Sequence, residues 1–192
     1  TKLMESRTFH VPEGVRVYAV GDIHGRGEVV ARLMAAIAAD VAANPCNEII
    51  EIFLGDYIDR GMQSRAVVEA LLQPTPAHHS RICLMGNHEE AMLNFLEEPK
   101  LLRQWGNMGG YATLAAYGMG IPAAMTHAAL VATRDELLAR MPPVHLDFFR
   151  GLQLRHHVGD YLFVHAGIDP RRAMEKQTRE HFLWIRKPFL EY

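Results

Sequence analysis

Four short clusters in this 192-residue chain set carboxylates, an amide and imidazoles beside glycine. They are Gly21-Asp22-Ile23-His24-Gly25, Gly55-Asp56-Tyr57-Ile58-Asp59-Arg60-Gly61, Gly86-Asn87-His88-Glu89 and His165-Ala166-Gly167. Asp22, His24, Asp56, Asn87 and His165 together offer hard oxygens and imidazole nitrogens, a donor set for one or two divalent ions such as manganese, iron or zinc. The alternation Asp22-x-His24 lets one loop turn both side chains toward one ion, and the glycines leave room for tight bends and a substrate oxygen. One carboxylate, most naturally Asp56, could bridge two ions about 3.5–4 Å apart, the arrangement used for in-line displacement at phosphorus. Singly, an Asp or Asn after a strand is more often a turn residue bonded to its own backbone. Four clusters in equivalent places carry the chemistry. Isolated histidines such as His10, His78 and His127 are read as surface or core groups.

Two other motifs fail. His88-Glu89-Glu90-Ala91-Met92 ends in methionine where the helical zinc signature needs a second histidine. Gly21 to Gly27 lacks the lysine and hydroxyl of a phosphate-binding P-loop, so ATP-driven chemistry has no support.

Each cluster follows an apolar run. Val15 to Val20, Ile49 to Leu54, Arg81 to Met85 and Tyr161 to Val164 have the composition of strands. Between them the pattern predicts helices over Glu28 to Ala43, with Val29, Leu33, Ala36 and Ile37 on one face, over Ser64 to Leu72 capped by Ser64, and over Glu89 to Leu96. Regular strand-loop-helix alternation predicts an α/β layered fold with parallel pairing. In such sheets ligands sit beyond the carboxyl ends of the strands, so the clusters should converge. From Glu97 to Arg150 the strand signal disappears. That stretch is expected to be a helical insertion, with Thr133-x-x-Glu136 as a capping box, and no chemistry is assigned to it.

Twenty Lys plus Arg against 22 Asp plus Glu leave a net charge of −2, which argues against a broadly basic nucleic-acid surface. With 49% hydrophobic and 22% charged residues, one globular domain over 1–192 is expected. Cys46 and Cys83 support no disulfide framework or thiolate zinc site and fit a reducing cytoplasm. Thr1 to His10 is polar and lacks a secretory pattern, and no apolar run reaches the roughly 18 residues of a membrane span.

The motifs GDIHG, GDYIDRG, GNHE and HAG, in this order, resemble the phosphoprotein phosphatase branch of the metallophosphoesterases, closest to the small bacterial serine/threonine phosphatases. The likeness runs from Gly21 to the chain end and includes LWIRKPF at Leu183 to Phe189. It implies a layered α-β-β-α sandwich and two divalent ions, manganese first, with iron or zinc possible. Asp22 and His24 would bind the first ion, Asp56 would bridge, and Asn87 and His165 would bind the second. A hydroxide held between the ions would attack phosphorus, His88 would protonate the leaving alkoxide, and Asp59 would orient His88. Arg60 and Arg186 match the phosphate-clamping arginines; Arg26, Arg155 and Arg171 match nothing and are left as solvated charges. The implied activity is hydrolysis of phosphoserine and phosphothreonine in a phosphoprotein partner. Alternatives are symmetrical dinucleoside polyphosphate hydrolysis or another nucleotide phosphatase activity, and a non-catalytic metal- or phosphate-binding domain. Two features favour the phosphatase: the intact Asp59-Arg60 pair, and Glu89, where the dinucleotide hydrolases resemble GNHD.

The family's further metal-ligand histidine, in a Gly-His-Thr-like motif, has no match. His156, His157 and His181 are poor substitutes by position. The simpler expectation is that the second sheet and the missing histidine continue past Tyr192.

Overall fold

The computed structural model describes residues 8–192; Thr1 to Arg7, part of the polar N-terminal stretch, lie outside the described residues. Strands β1 (Val15–Val20), β2 (Glu48–Phe53) and β3 (His79–Cys83) form a parallel sheet in that order. Helices α1 (Gly27–Ala43) and α2 (Ser64–Leu71) make the two crossovers, as parallel pairing requires. β2 is central and covered on both faces, which is why Ile49, Ile50, Ile52 and Phe53 form a nearly unbroken apolar run. Its one charged interior residue, Glu51, faces Arg81 across the register and is bonded to it at 2.9 Å.

One face of the sheet packs Phe53 against Val30, Val67, Val68, Leu71, Phe95 and Trp105. The other packs Ile50, Ile52 and Leu84 against Val158 and Phe163 of a small antiparallel sheet, β4 (Arg155–Val158) with β5 (Tyr161–Val164). Helices, parallel sheet and second sheet are therefore layered, as expected. Between α3 (Asn87–Glu97) and β4 the chain is helical: α4 (Leu102–Trp105), a π-turn over Gly106–Gly110, α5 (Tyr111–Ala116), α6 (His127–Arg140) and α7 (Pro143–Gly151). Two short helices follow β5, α8 (Arg179–Trp184) and α9 (Lys187–Leu190). Among the described residues no helix is long and apolar enough to cross a membrane.

Several local expectations are corrected. The buried stripe of α1 keeps Ile37 and half-buries Leu33 as expected, but Val30 takes the place of Val29, and Val29 and Ala36 are exposed. Ser64 is the first residue of α2, and its hydroxyl serves the Asp59 loop instead of capping the helix. The cap of α6 is Thr126, whose oxygen accepts the Ala129 N–H, so Thr133 lies inside the helix and donates back to Ala129 O at 2.8 Å. β3 begins two residues early, at polar His79. β4 is unexpected, because Arg-His-His-Val carries almost no apolar signal.

Candidate metal centre

The chain leaves β1, β2, β3 and β5 directly into the four clusters. Ile23 and His24 donate their backbone N–H groups to Asp56 O at 3.0 and 2.8 Å, lacing the first two loops together. Four non-glycine residues here have left-handed backbones: His24, Asp56, Asp59 and Arg60, with φ between 46° and 73°. Each such residue costs about 1–3 kcal/mol and persists only where its surroundings over-determine it. Gly55, at φ 107°, allows a close approach of two loops, since a Cβ there would fall 2.5 Å from Gly86 N.

The histidine tautomers follow from their hydrogen bonds. His24 Nδ1 lies 3.0 Å from Ile58 O and must donate to it, which leaves a lone pair on Nε2. That nitrogen is buried without a hydrogen-bond partner, 3.6 Å from Asp56 Oδ2 and 3.8 Å from Asp22 Oδ2. His165 Nδ1 likewise donates to Leu54 O at 2.9 Å, and its Nε2 faces Asn87 Oδ1 at 2.9 Å and Asp56 Oδ1 at 3.5 Å. Imidazole nitrogens and carboxylate oxygens thus converge on one small volume. An orphaned buried imidazole nitrogen held in its tautomer by a backbone carbonyl is what a metal ligand requires. The residues fit two divalent ions, one among Asp22, His24 and Asp56 and one among Asp56, Asn87 and His165. The donor atoms of Asp22, Asp56 and His165 also lie within 4.8 Å of one another, as do those of His24, Asp56 and His88.

His88 has other bonds to make. Its Nδ1 donates to Asp59 Oδ2 at 2.7 Å, and Nε2 lies 3.2 Å from Arg60 Nη2, a group that can only donate. A guanidinium on Nε2 makes His88 a poor third ligand for the first ion. Burial would lower the His88 pKa, but the Asp59 hydrogen bond and the charges of Asp56 and Asp59 outweigh it, and the net direction is upward. Asp59 is fully buried; its carboxylate also accepts from Trp105 Nε1 at 2.9 Å and Thr113 Oγ1 at 2.6 Å.

A sequence profile of the calcineurin-like phosphoesterase family matches residues 15–190. The chain belongs to that family. Relatives include a symmetrical bis(5'-nucleosyl)-tetraphosphatase of Acidovorax ebreus, 28% identical over 83% of this chain and 47% of its own length. A second such enzyme, of Methylococcus capsulatus, is 27% identical over 80% of this chain and 44% of its own. Serine/threonine-protein phosphatase BSL2 of Arabidopsis thaliana is 35% identical over a shorter stretch, 40% of this chain and 8% of its own. A crystal structure provisionally named a diadenosine tetraphosphatase superposes with a TM-score of 0.56 at 16% identity, covering 91% of this chain and 64% of that one, which supports the fold. The chain spans about half the length of the two tetraphosphatases.

This metallophosphoesterase brings Asp22, His24, Asp56, Asn87, His165, His88, Asp59 and Arg60 to one site, while Arg186 makes no hydrogen bond to any of them among the described residues. Arg186 is exposed, donates to Ile185 O at 2.9 Å, and lines a cavity of about 420 Å³ with Asp169, Arg171, Arg172 and Lys187. It stands at the junction of α8 and α9, where its side chain turns back on its own chain. Arg171 is an exposed charge, as expected, but a paired one: it forks onto Asp169 at 2.9 and 3.0 Å and holds that carboxyl well below the usual range. Arg155 lies over the Phe182 ring. His181 Nδ1 accepts the Thr178 N–H at 3.0 Å in a capping box, and His156 and His157 pair with Phe163 and Leu162 in the second sheet. None of these three belongs to a metal-capable group among the described residues. His10, His78 and His127 are exposed.

Sequence reasoning missed three residues that build the site. Trp105 and Thr113 hold Asp59, and nothing near them in sequence signals it. Glu89 is fully buried and accepts N–H groups from Asp56 (2.8 Å), Tyr57 (2.8 Å), Ile58 (3.2 Å) and Gly86 (3.0 Å). Burial, followed by the Asp56 charge, pushes its pKa up to about 7 against the pull of those N–H donors. Its place in the Gly-Asn-His-Glu motif was the available signal; its direction, inward onto backbone N–H groups, was not.

Proposed function

We propose that this chain carries the centre of a dimetal phosphoesterase that hydrolyses a phosphoanhydride bond of a dinucleoside polyphosphate. The observation that carries the dimetal reading is the division of Asp56: Oδ2 faces His24 Nε2 and Oδ1 faces His165 Nε2, at 3.6 and 3.5 Å. Asp22, His24 and Asp56 would hold one ion and Asp56, Asn87 and His165 the other; manganese is the first to test, then iron or zinc. When bound, such ions supply Lewis-acid charge to phosphoryl oxygens and lower the pKa of a water toward neutrality.

The chain's own groups do the rest. Arg60 is exposed, and its planar fork suits two phosphoryl oxygens. As Arg60 turns to the phosphoryl group it leaves His88 Nε2, which is then placed to hold a proton for the departing oxygen. Asp59 keeps the ring oriented from Nδ1. The dinucleotide substrate is supported by the two tetraphosphatases, which match at least 80% of this chain. Glu89, the residue that separated the two substrate classes in sequence, turns inward onto backbone, so it no longer argues against a dinucleotide.

A second reading, hydrolysis of phosphoserine and phosphothreonine in proteins, is favoured by the complete Asp59–His88 pair, because an alkoxide needs a proton more than a departing nucleotide does. The matching stretch of the plant phosphatase supports it too. Turnover of diadenosine tetraphosphate and of a phosphothreonine peptide by the manganese-loaded chain separates them. Faster cleavage of the dinucleotide is expected; faster cleavage of the peptide transfers the assignment to the second reading. Metal binding with no hydrolysis of either, or of p-nitrophenyl phosphate, would leave a non-catalytic domain.

A further inference from the structure

Asp59 and Arg60 are consecutive non-glycine residues at φ 73° and 65°, so the loop that presents them must be held from outside. Ser64 Oγ accepts the Asp59 N–H at 3.2 Å, and the other holding groups come from residues 105–113, inside the helical segment that showed no chemistry in sequence. Thr113 Oγ1 accepts the Asp59 N–H at 2.9 Å and donates its own proton to Asp59 Oδ1 at 2.6 Å. Trp105 Nε1 donates to Oδ2 at 2.9 Å, the same oxygen that receives His88 Nδ1. The Gly109 carbonyl accepts the Arg60 N–H at 3.2 Å.

A regular helix could not deliver this arrangement. Eight residues apart, Trp105 and Thr113 would stand about 12 Å apart along the axis and about 80° apart around it. The π-turn between them breaks at Gly109, with φ 113° and ψ 7°, and folds both side chains onto one carboxylate. A Cβ at Gly109 would fall 2.8 Å from Arg60 N, so the break and the close approach need the same glycine.

We propose that residues 105–113 position the proton donor: Trp105 and Thr113 act through Asp59 to hold the His88 imidazole, while the Gly109 carbonyl fixes Arg60. None of the three touches substrate; they are positioning residues. The inference rests on the phosphoesterase reading in which His88 serves the leaving oxygen, and it holds for either substrate class.

Two arms test it. In the kinetic arm, Thr113→Val removes the hydroxyl at nearly constant volume and Thr113→Ser keeps it. The kcat ratio of phenyl phosphate, whose leaving group needs a proton, to p-nitrophenyl phosphate should fall about tenfold in Thr113→Val and recover in Thr113→Ser. In a His88→Asn background the same substitution should not lower the ratio further, since its route is already cut. Equal losses on both substrates, or a further fall in that background, overturns the proposal. In the spectroscopic arm, the chain's two tryptophans, Trp105 and Trp184, give separable indole N–H resonances. Asp59→Asn should move the Trp105 signal and leave that of Trp184 in place; a Trp105 signal indifferent to Asp59→Asn overturns the proposal. A wild-type chain that hydrolyses none of these esters sinks the phosphoesterase reading alone, and the indole signal still decides the positioning.

Discussion

Glu89 holds Asp56 from behind: its Oε2 accepts the Asp56 backbone N–H at 2.8 Å, inside the protein, while the Asp56 side chain points at His24 and His165. The left-handed backbone of Asp56, the carboxylate proposed to bridge, is therefore braced by a helix residue 33 positions later. Glu89→Ala would strand four buried N–H donors, at about 1–3 kcal/mol for each one left unsatisfied. Glu89→Gln keeps one acceptor oxygen but turns an NH₂ toward donors. The expected outcome is a chain of lowered melting temperature for Ala, and for Gln a folded chain with manganese affinity reduced about tenfold or more, the range for residues supporting metal ligands. Equilibrium dialysis on the folded Gln variant checks this; an unchanged affinity would mean that the Ile23 and His24 bonds to Asp56 O suffice.

The four clusters were legible because each is local: strand, turn and ligand lie within a few residues, and parallel strands end on one side. What was not legible is whatever reaches across the chain. Trp105 and Thr113 stand 46 and 54 residues from Asp59, in a segment whose periodicity gives helix and nothing more. Local rules also chose wrongly between equals. Thr126 and Thr133 are both plausible caps, and only the packing of Leu130 and Leu137 decides where α6 begins. In α1 the choice between Val29 and Val30 depends on the angle at which the helix meets the sheet, which no window of sequence contains. At Arg186 the motif was local and readable, but only the fold shows its guanidinium bonded to Ile185 O and lining a cavity with Arg171 and Lys187.

Because Asp56 divides its oxygens between two histidines, Asp56→Asn should cost both ions together. The amide keeps one acceptor and presents a donor to the other site, so neither position retains its charge. Metal content by elemental analysis should fall from two ions per chain to fewer than one. Retention of two would show that the oxygens of Asp56 do not bridge.

His88 lies beside the proposed ligand Asn87, and its own ring nitrogens face Asp59 and Arg60, so His88→Asn should leave metal content nearly intact. Loss of a positioned proton donor should slow phenyl phosphate cleavage about 100-fold or more, the low end for general-acid catalysis, and p-nitrophenyl phosphate far less. Uniform loss on both esters, accompanied by loss of metal, would return His88 to the first ion, where its distance of 3.9 Å from Asp56 Oδ2 would permit it.

Cys83 ends β3, and burial pushes its thiol up to about 12, with the Arg81 charge pulling the other way. An acid with a raised folded pKa stabilises the fold fully while it is protonated in both states, below its ordinary value of about 8.5, and loses that contribution as pH climbs toward the folded value. Across this window the loss is about 1.4 kcal/mol per pH unit at most. Tyr57, buried beside the same strand and also raised, adds a parallel effect, so the informative quantity is a difference between variants. Urea unfolding at about pH 8 and about pH 10.5 should show wild-type stability falling by about 2 kcal/mol more than that of Cys83→Val. In native protein at the lower pH, iodoacetamide should leave Cys83 unmodified until urea opens the fold, since only the thiolate reacts. Parallel pH slopes in the two proteins, or prompt alkylation of Cys83 without urea, would mean that the end of β3 opens to water far more often than its packing implies.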